Sequence, residues 1–364
     1  MACFRMDNKG KGKIMLSRIY NIMYKFKCYL KIKKQIQSSK KRVFLIGTPW
    51  HGNIGDQALV YAEKYLLNSN FVDYTVIEIP SSIYNSRIFG LLSKYINSED
   101  KIFLQGGGNL GTLYMGEEFF HRDIIKKYPN NQIVIMPMSI FFHNNDFGQS
   151  ELKISAEIYN NHKNLTIISR DDISFNFAKK YFYKVNNILA PDSVTSLDGI
   201  LDNENFIREG ICFFLRQDIE KVVSEDNIKQ IKDFLVKNNI KYNLSDTADN
   251  NSYKNDKSRK DIIFSRLYMA KKAKLVITDR YHGVIFSVIT HTPVIVFKSF
   301  DTKISAGVKW FKNLNWVHYI DSNNINEINR LIKYYCLQEQ VISGQSNCKE
   351  IIMNTIKELN KEEK

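Results

Sequence analysis

The sequence predicts an α/β protein built as two Rossmann-like domains facing a central cleft. Three observations carry this expectation. Short apolar runs alternate with longer stretches of helical periodicity, the pattern of βα units around a parallel sheet. The pattern stops near residue 200 and starts again at Ile211. The length of 364 residues also exceeds what one hydrophobic core usually organises, about 250–300 residues.

Taken in order, Val43-Phe44-Leu45-Ile46 reads as a buried strand, Gly47 to Gly55 as a loop, and Asp56 to Leu67 as a helix. That helix presents Ala58, Leu59, Ala62, Tyr65 and Leu66 on one face. Thr75 to Ile79 is a second strand, stopped by Pro80, and Lys101 to Gln105 a third that runs into Gly106-Gly107-Gly108. Ile133 to Met136 ends at Pro137, Thr166 to Ser169 precedes a helix beginning near Asp171 or Asp172, and Ile188-Leu189 leads into Ala190-Pro191-Asp192-Ser193. These elements give a first domain over residues 42–200.

The second domain, residues 205–335, opens with the strand Ile211 to Leu215 and the helix Asn227 to Lys237. Ser245 to Asp261 reads as a polar loop and Ile262 to Lys272 as a helix. The strand Leu275 to Thr278, the turn Asp279 to Gly283, a helix from Val284 and the strand Pro293 to Phe297 follow. A basic leader (1–41) and a helical tail (336–364) flank the two domains.

A 44% hydrophobic, 25% charged composition is that of a globular protein, and no apolar run approaches the ~20 residues that span a bilayer. The net charge of +14 suggests a nucleic-acid partner only until its distribution is read. Residues 1–42 hold thirteen Lys/Arg against one acid, Asp7, and the remainder carries 39 basic and 37 acidic residues. The body is nearly neutral, so no nucleic acid is expected.

Within the leader, Leu16, Ile19, Met23, Phe26 and Leu30 recur at helical spacing, with Tyr20 and Ile22 beside them and lysines elsewhere. Such a helix either packs on protein or lies on an anionic membrane surface through residues 9–42. Cys3, Cys28, Cys212, Cys336 and Cys348 are odd in number and scattered, which points to a reducing compartment. The expected location is cytoplasmic, extended by the leader to the inner face of the cell membrane.

In open parallel sheets, functional groups gather where strands end and helices begin. Four loops fit. Asp279-Arg280-Tyr281-His282-Gly283 sets a guanidinium, a fork for carboxylate or phosphate, two positions from an imidazole that moves protons near neutral pH. Its bland alternative is a solvated turn with Asp279 capping the helix. His51-Gly52-Asn53-Ile54-Gly55-Asp56 offers a carboxylate to sugar hydroxyls, or else is a turn in which Asp56 only caps. It is no nucleotide fingerprint, lacking G-x-G-x-x-G and a Walker lysine.

Gly106-Gly107-Gly108-Asn109 exposes amides able to cradle an anion, or serves as an ordinary tight βα turn. The fourth loop, Leu215-Arg216-Gln217-Asp218, would aim Arg216 across the cleft. No H-E-x-x-H or close His/Asp cluster supports a metal, and no G-x-S-x-G elbow supports a hydrolase.

Taken together, Gly52-Asn53-Ile54-Gly55-Asp56, Gly106-Gly107-Gly108-Asn109, Ser169-Arg170-Asp171, Ala190-Pro191-Asp192 and Asp279-Arg280-Tyr281-His282-Gly283 resemble the polysaccharide pyruvyl transferase family over residues 43–300. The resemblance implies a glycosyltransferase-B-like fold with phosphoenolpyruvate as co-substrate and no other cofactor. It implies a glycan or lipid-linked oligosaccharide acceptor, on which two hydroxyls become a pyruvate ketal as phosphate leaves. Arg280 and His282 then belong to the donor site, with Arg216, Asp279, Gly283 and the segment Gly106–Asn109 as further binding residues. Asp56 is expected to orient or deprotonate acceptor hydroxyls, and Asn53 to bind the sugar.

The rival is a nucleotide-sugar glycosyltransferase of the same architecture. Its ribose-binding Glu would stand seven residues before Pro293, where this chain has Phe286. A glycan-binding scaffold without turnover is the non-enzymatic alternative.

Overall fold

A computed structural model describes residues 8–50, 52–204, 206–216, 223–247, 255–298, 302–338, 342 and 344–361, with backbone alone for 8–21, 109, 302 and 303. Two parallel sheets organise the chain. The first contains β1 (Arg42–Thr48), β2 (Thr75–Pro80), β3 (Lys101–Leu104), β4 (Gly107–Gly111), β5 (Ile133–Phe141), β6 (Leu165–Ser169) and β7 (Asn186–Leu189). Its order is β2-β1-β3-β5-β6-β7, with β4 also pairing to β5. The second contains β8 (Ile211–Phe214), β9 (Tyr242–Ser245), β10 (Leu275–Thr278), β11 (Val294–Phe297) and β12 (Val317–Ile320), in the order β12-β11-β10-β8-β9.

Both sheets are buried on two faces, which is why β1, β6, β8, β10 and β11 read as continuous apolar runs rather than alternating ones. Around them lie α1 (Asn8–Ser38), α2 (Ile54–Asn70), α3 (Ser81–Tyr84), α4 (Arg87–Leu92), α5 (Met115–Lys127), α6 (Asp146–Asn161) and α7 (Asp172–Tyr181). The second half adds α8 (Glu225–Lys237), α9 (Asp256–Lys272), α10 (Tyr281–Ile289), α11 (Thr302–Val308), α12 (Ile325–Leu337) and α13 (Cys348–Glu358).

Strand order fixes where a site can form. In the first sheet the order reverses at β1, which has β2 on one side and β3 on the other; in the second it reverses at β8, between β9 and β10. Crevices open at the carboxyl ends of strands at such switch points. The loop after β1 and the β3–β4 junction stand at the first, and Arg216 and the Asp279–Gly283 turn at the second.

The halves are joined by α2, whose Ile54, Ala58, Leu59 and Ala62 pack into the core of the second sheet. On another side of α2, Val60, Leu66 and Leu67 belong to a core with Val43, Leu45 and Phe103 of the first sheet. The tail helix α13 returns to that core through Ile352 and Ile356, joined by its C-cap residue Leu359.

Several expectations change. The helix expected from Asp56 begins at Ile54, and the one expected from Ile262 begins at Asp256, because Asn53 and Asn255 cap them with side-chain oxygens. The polar stretch 245–261 is therefore partly helical, and residues 248–254 of it lie outside the described residues. The glycine cluster is not a turn: Gly107–Gly111 continues as β4 and pairs in parallel with β5.

The leader also differs. Ile32 and Ile36, with Cys28 and Tyr29, pack on the first domain, whereas Ile22, Met23, Phe26 and Leu30 are exposed. The docked row 28/32/36 and the exposed row 22/26/30 run along different faces of the helix, about 120° apart. Leu16, Ile19 and Tyr20 fall where side chains are not described. Among the described residues, no helix is long and apolar enough to cross a membrane.

Candidate active site

The first side of the cleft is built by the loop from β1 into α2. Asn53, expected to bind sugar, is the helix cap: its Oδ1 accepts from the amides of Gly55 at 3.0 Å and Asp56 at 3.4 Å. That releases Asp56 from the capping role, and its half-buried carboxylate lines a cavity with Gln105 and Gly106. The amide of Ile54 donates to the carbonyl of Thr247 at 2.7 Å, a backbone bond from one half to the other.

The second side is the turn after β10. Thr278 Oγ1 donates to the Phe214 carbonyl at 2.7 Å and accepts from the Arg280 amide at 3.0 Å. Asp279, expected to cap the helix or meet substrate, instead accepts the Arg216 amide on Oδ1 at 2.8 Å, tying the ends of β8 and β10 together. Arg280 is the N-cap residue of α10 and makes no side-chain cap bond. Its guanidinium forks onto Asp246, Nε to Oδ1 at 2.9 Å and Nη2 to Oδ2 at 2.8 Å. Gly283 is required because a Cβ there would strike Thr278 Oγ1 and crowd Phe214. Gln217 and Asp218, beyond Arg216, and His51, before Gly52, lie outside the described residues.

His282 projects from this turn against the opposite half. A Cβ on Gly55 would collide with its Nδ1, so the glycine of the first loop makes room for the imidazole of the second. Its Nε2 lies 3.9 Å from Asp192 Oδ2, too far for a hydrogen bond, and has no partner among the described residues. Burial pushes the imidazole below its ordinary pKa; Asp192 and Asp56 oppose this, while Arg170 and Arg280 reinforce it. The ring is therefore neutral at pH 7.

Beneath the cleft is a buried polar layer that motif reading left without roles. Arg170 reaches Asp192 Oδ2 through Nη1 at 3.0 Å and Ser139 Oγ through Nε at 2.8 Å, and its guanidinium lies 5.1 Å from the Tyr281 ring centre. Glu63, fully buried on α2, accepts the Gly106 amide on Oε1 at 2.9 Å. Burial pushes its carboxyl well above the ordinary range, helped by the Asp192 and Asp56 charges and opposed by the Gly106 bond. Glu63 thus occupies an amide expected to hold an anion.

The amides of Gly107 and Gly108 belong to β4, and the Asn109 side chain lies outside the described residues. Glu63 had a legible signal, an acid within the apolar row Leu59, Ala62, Leu66; Asp246, in a wholly polar stretch, had none. Among the described residues no group of His, Cys, Asp and Glu is arranged to hold a metal ion.

Fold and site define a class: a glycosyltransferase-B-like protein whose cleft sets an arginine–imidazole turn opposite a carboxylate. Comparison with known proteins narrows it. The sequence profile of polysaccharide pyruvyl transferases matches residues 53–299. General stress protein 30 of Bacillus subtilis is 36% identical over 299 residues, spanning 81% of this chain and 85% of that protein. Pyruvyl transferase 1 of Schizosaccharomyces pombe is 28% identical over 271 residues, 71% of this chain and 66% of that protein.

An uncharacterized protein from Klebsiella pneumoniae of known crystal structure shares the fold, with a TM-score of 0.55 at 20% identity over 81% of this chain and 98% of its own. The chain belongs to the polysaccharide pyruvyl transferase family. It is accordingly a transferase acting in polysaccharide pyruvylation.

Proposed function

We propose that the protein transfers the three carbons of the enolpyruvyl group of phosphoenolpyruvate onto two hydroxyls of one sugar in a surface or exopolysaccharide precursor, yielding a cyclic ketal and phosphate. The observation that carries this is the meeting of the Arg280–His282 turn with Gly55 and Asp56 across the cleft. Donor carboxylate and phosphate suit Arg216 and Arg280, whose loops Asp279 ties together, with the donor sharing or displacing the Asp246 carboxylate on the Arg280 guanidinium.

The donor's own negative charge adds to that of Asp192 and Asp56 and favours the imidazolium of His282. His282 then gives a proton to the methylene carbon, and one sugar hydroxyl bonds to the electrophilic C2. The neutral ring takes the proton that this hydroxyl loses, so it acts first as acid and then as base. The C2–O bond to phosphate breaks with stabilisation by the arginines, and the second hydroxyl closes the ketal as its proton leaves with phosphate. Asp56 orients the hydroxyls. The nucleotide-sugar alternative is weakened by Phe286, which is fully buried in the core of the second sheet and offers nothing to a ribose.

The test is incubation with phosphoenolpyruvate and a panel of free or lipid-linked glycosides, following phosphate and the mass gained by the glycoside. Turnover with nucleotide sugars alone would sink the proposal. Lipid-linked acceptors reside at a membrane, and the exposed row Ile22, Met23, Phe26 and Leu30, with Lys27, Lys31 and Lys34 also exposed on α1, suits peripheral contact with an anionic surface.

A further inference from the structure

The two halves are connected by the segment that follows β7, and two of its carboxylates meet two imidazoles borne by one helix. Asp192 begins the segment and Asp198 closes its 3-10 turn, Ser193–Leu197. His282 lies in the first turn of α10, and His291 stands just beyond its last residue, Ile289. Asp192 Oδ2 is 3.9 Å from His282 Nε2, while Asp198 Oδ1 pairs with His291 Nε2 at 2.9 Å. The contact at the far end of the helix is closed, and the one at the reacting end is open.

The surroundings of His291 show why its ring reaches the segment. The residue sits at φ +53° directly after the helix, a conformation that histidine adopts more readily than most side chains. Its carbonyl and that of Thr290, left open by the helix end, accept Arg208 Nη2 at 2.9 and 3.0 Å. The backbone is thus anchored, and the ring meets Asp198 with Asp202 Oδ1 3.8 Å from its Nδ1. Asp202 also pairs with Lys271 Nζ of α9 at 3.3 Å, and Lys349 Nζ of α13 donates to the Asp198 carbonyl at 2.6 Å. Cys348, near Asp198, is a buried thiol pushed up to about 11 and stays neutral. The His291 imidazole is raised above its ordinary pKa, because Asp198, helped by Asp202, outweighs burial and the Lys271 charge.

Between its ends α10 is held by apolar contact. Its Val284, Ile285 and Val288 share a core with Val194, Leu197 and Leu201 of the segment. Such contacts resist separation but are non-directional, so sliding and tilting of the helix are limited by the polar contacts at its ends. On the far side of His282 there is no slack, since a Cβ on Gly55 would already strike the ring.

We propose that Asp198 and His291 are positioning residues for His282: their ion pair fixes α10 along the connecting segment and thereby sets the gap between the His282 imidazole and the Asp192 carboxylate. This deepens the pyruvyl-transfer reading and rests on it, because His282 is the group that moves the proton. The pair exists while His291 is protonated. It is complete below the ordinary imidazole pKa of 6.5 and is lost as pH rises through the higher folded value.

The variants are Asp198→Asn, near-isosteric and uncharged, His291→Asn, which keeps a side chain suited to positive φ, and the double substitution. Phosphate release from phosphoenolpyruvate with a glycoside that turns over should show, at about pH 6, a kcat about fivefold lower in each variant and a KM for phosphoenolpyruvate within about twofold of wild type. The double variant should lose no more than either single one. Toward about pH 9 the ratio of wild-type to variant kcat should fall to about one as the wild type loses the pair, whereas a general loss of stability would leave the ratio constant. Histidine-ring NMR of the protein alone, with His282 assigned by its loss in His282→Gln, should show His282 titrating lower in Asp198→Asn, where the Asp192 charge lies farther from the ring.

Wild-type kcat in variants that fold by circular dichroism, a ratio independent of pH, or an unmoved His282 titration overturns the positioning role. A wild type that releases no phosphate with any glycoside removes the transfer reaction instead, and the ring titration then decides the positioning role by itself.

Discussion

The carboxyl ends of the two sheets are the same piece of topology used with opposite charge. At the first switch point the start of α2 presents the Asp56 carboxylate beside the β3–β4 junction, above the buried Glu63 that accepts the Gly106 amide. At the second, the loops after β8 and β10 present Arg216, Arg280 and His282. Backbone needs are met similarly on each side, by Asn53 accepting the Gly55 and Asp56 amides and by Asp279 accepting the Arg216 amide. What differs is the set of side chains left at the cleft, a carboxylate on one side and guanidinium groups with an imidazole on the other, and this difference is the basis for proposing the anionic donor on one half and the hydroxyl-bearing acceptor on the other.

Removing the positive side should have the largest effect. Arg280→Ala is expected to lower kcat/KM for phosphoenolpyruvate by roughly 10²–10³-fold, the scale of losing one preorganised donor to developing charge. Arg280→Lys should restore only part of it, because an ammonium cannot form the fork. Steady-state phosphate release checks both. A loss below tenfold for the alanine variant would move the donor away from this turn and abolish the contrast between the halves.

Next is the latch that holds the halves in register. Glu78 of β2 accepts from Arg259 Nη2 of α9 at 2.8 Å and from Lys64 Nζ at 2.9 Å, while Arg259 Nε also donates to Gln57 on α2 at 2.9 Å. Burial alone would raise the Glu78 carboxyl, but Arg259 and Lys64 outweigh it and hold the pKa at about 2. A depressed folded pKa stabilises above the unfolded value near 4.5 and is lost as pH falls from there toward about 2. The contribution is on the order of 3 kcal/mol. Glu78→Gln should therefore lower the urea midpoint at pH 7 and flatten the stability loss between pH 5 and about 2. An unchanged acid slope would show that the latch carries no such load.

How much of this was legible follows from the range over which each feature is determined. The strands buried on both faces were readable because local apolar runs encode them, and the Asp279–Gly283 turn because a strand ends and a helix begins around adjacent arginine, histidine and glycine. Strand β9 was not readable, since Tyr242–Ser245 has two exposed residues and no apolar run. The partners of the site residues were hidden too. Asp246 meets Arg280 from 34 positions away and Asp192 meets Arg170 from 22, distances over which only the fold sets proximity. The glycine cluster misled because consecutive glycines suit a turn or a close strand, and here Gly106 must pass the Pro137 carbonyl with no room for a side chain.

The meeting point itself can be probed by one methyl group. Gly55→Ala would push a Cβ onto His282 Nδ1, forcing the ring or the loop to shift. Misplacing a proton-transfer group by a fraction of an ångström should reduce kcat by about tenfold while leaving the KM for phosphoenolpyruvate nearly unchanged, since the arginines stay in place. A KM effect without a kcat effect would mean that the first loop serves binding rather than the alignment of His282.

The smallest effect on turnover is expected where the leader leaves the body of the protein. Replacing Ile22, Met23, Phe26 and Leu30 by Ser alters only the exposed row and leaves Cys28, Ile32 and Ile36 in their contacts with the first domain. Turnover with a free glycoside should be unchanged, whereas sedimentation with vesicles containing anionic lipid should fall several-fold, since apolar insertion and lysine attraction act together. The same vesicles at high salt should weaken wild-type binding by screening the lysines. Wild-type protein that ignores the vesicles altogether would leave charge asymmetry across the cleft as the feature that selects substrates and reduce the leader to a strut on the first domain.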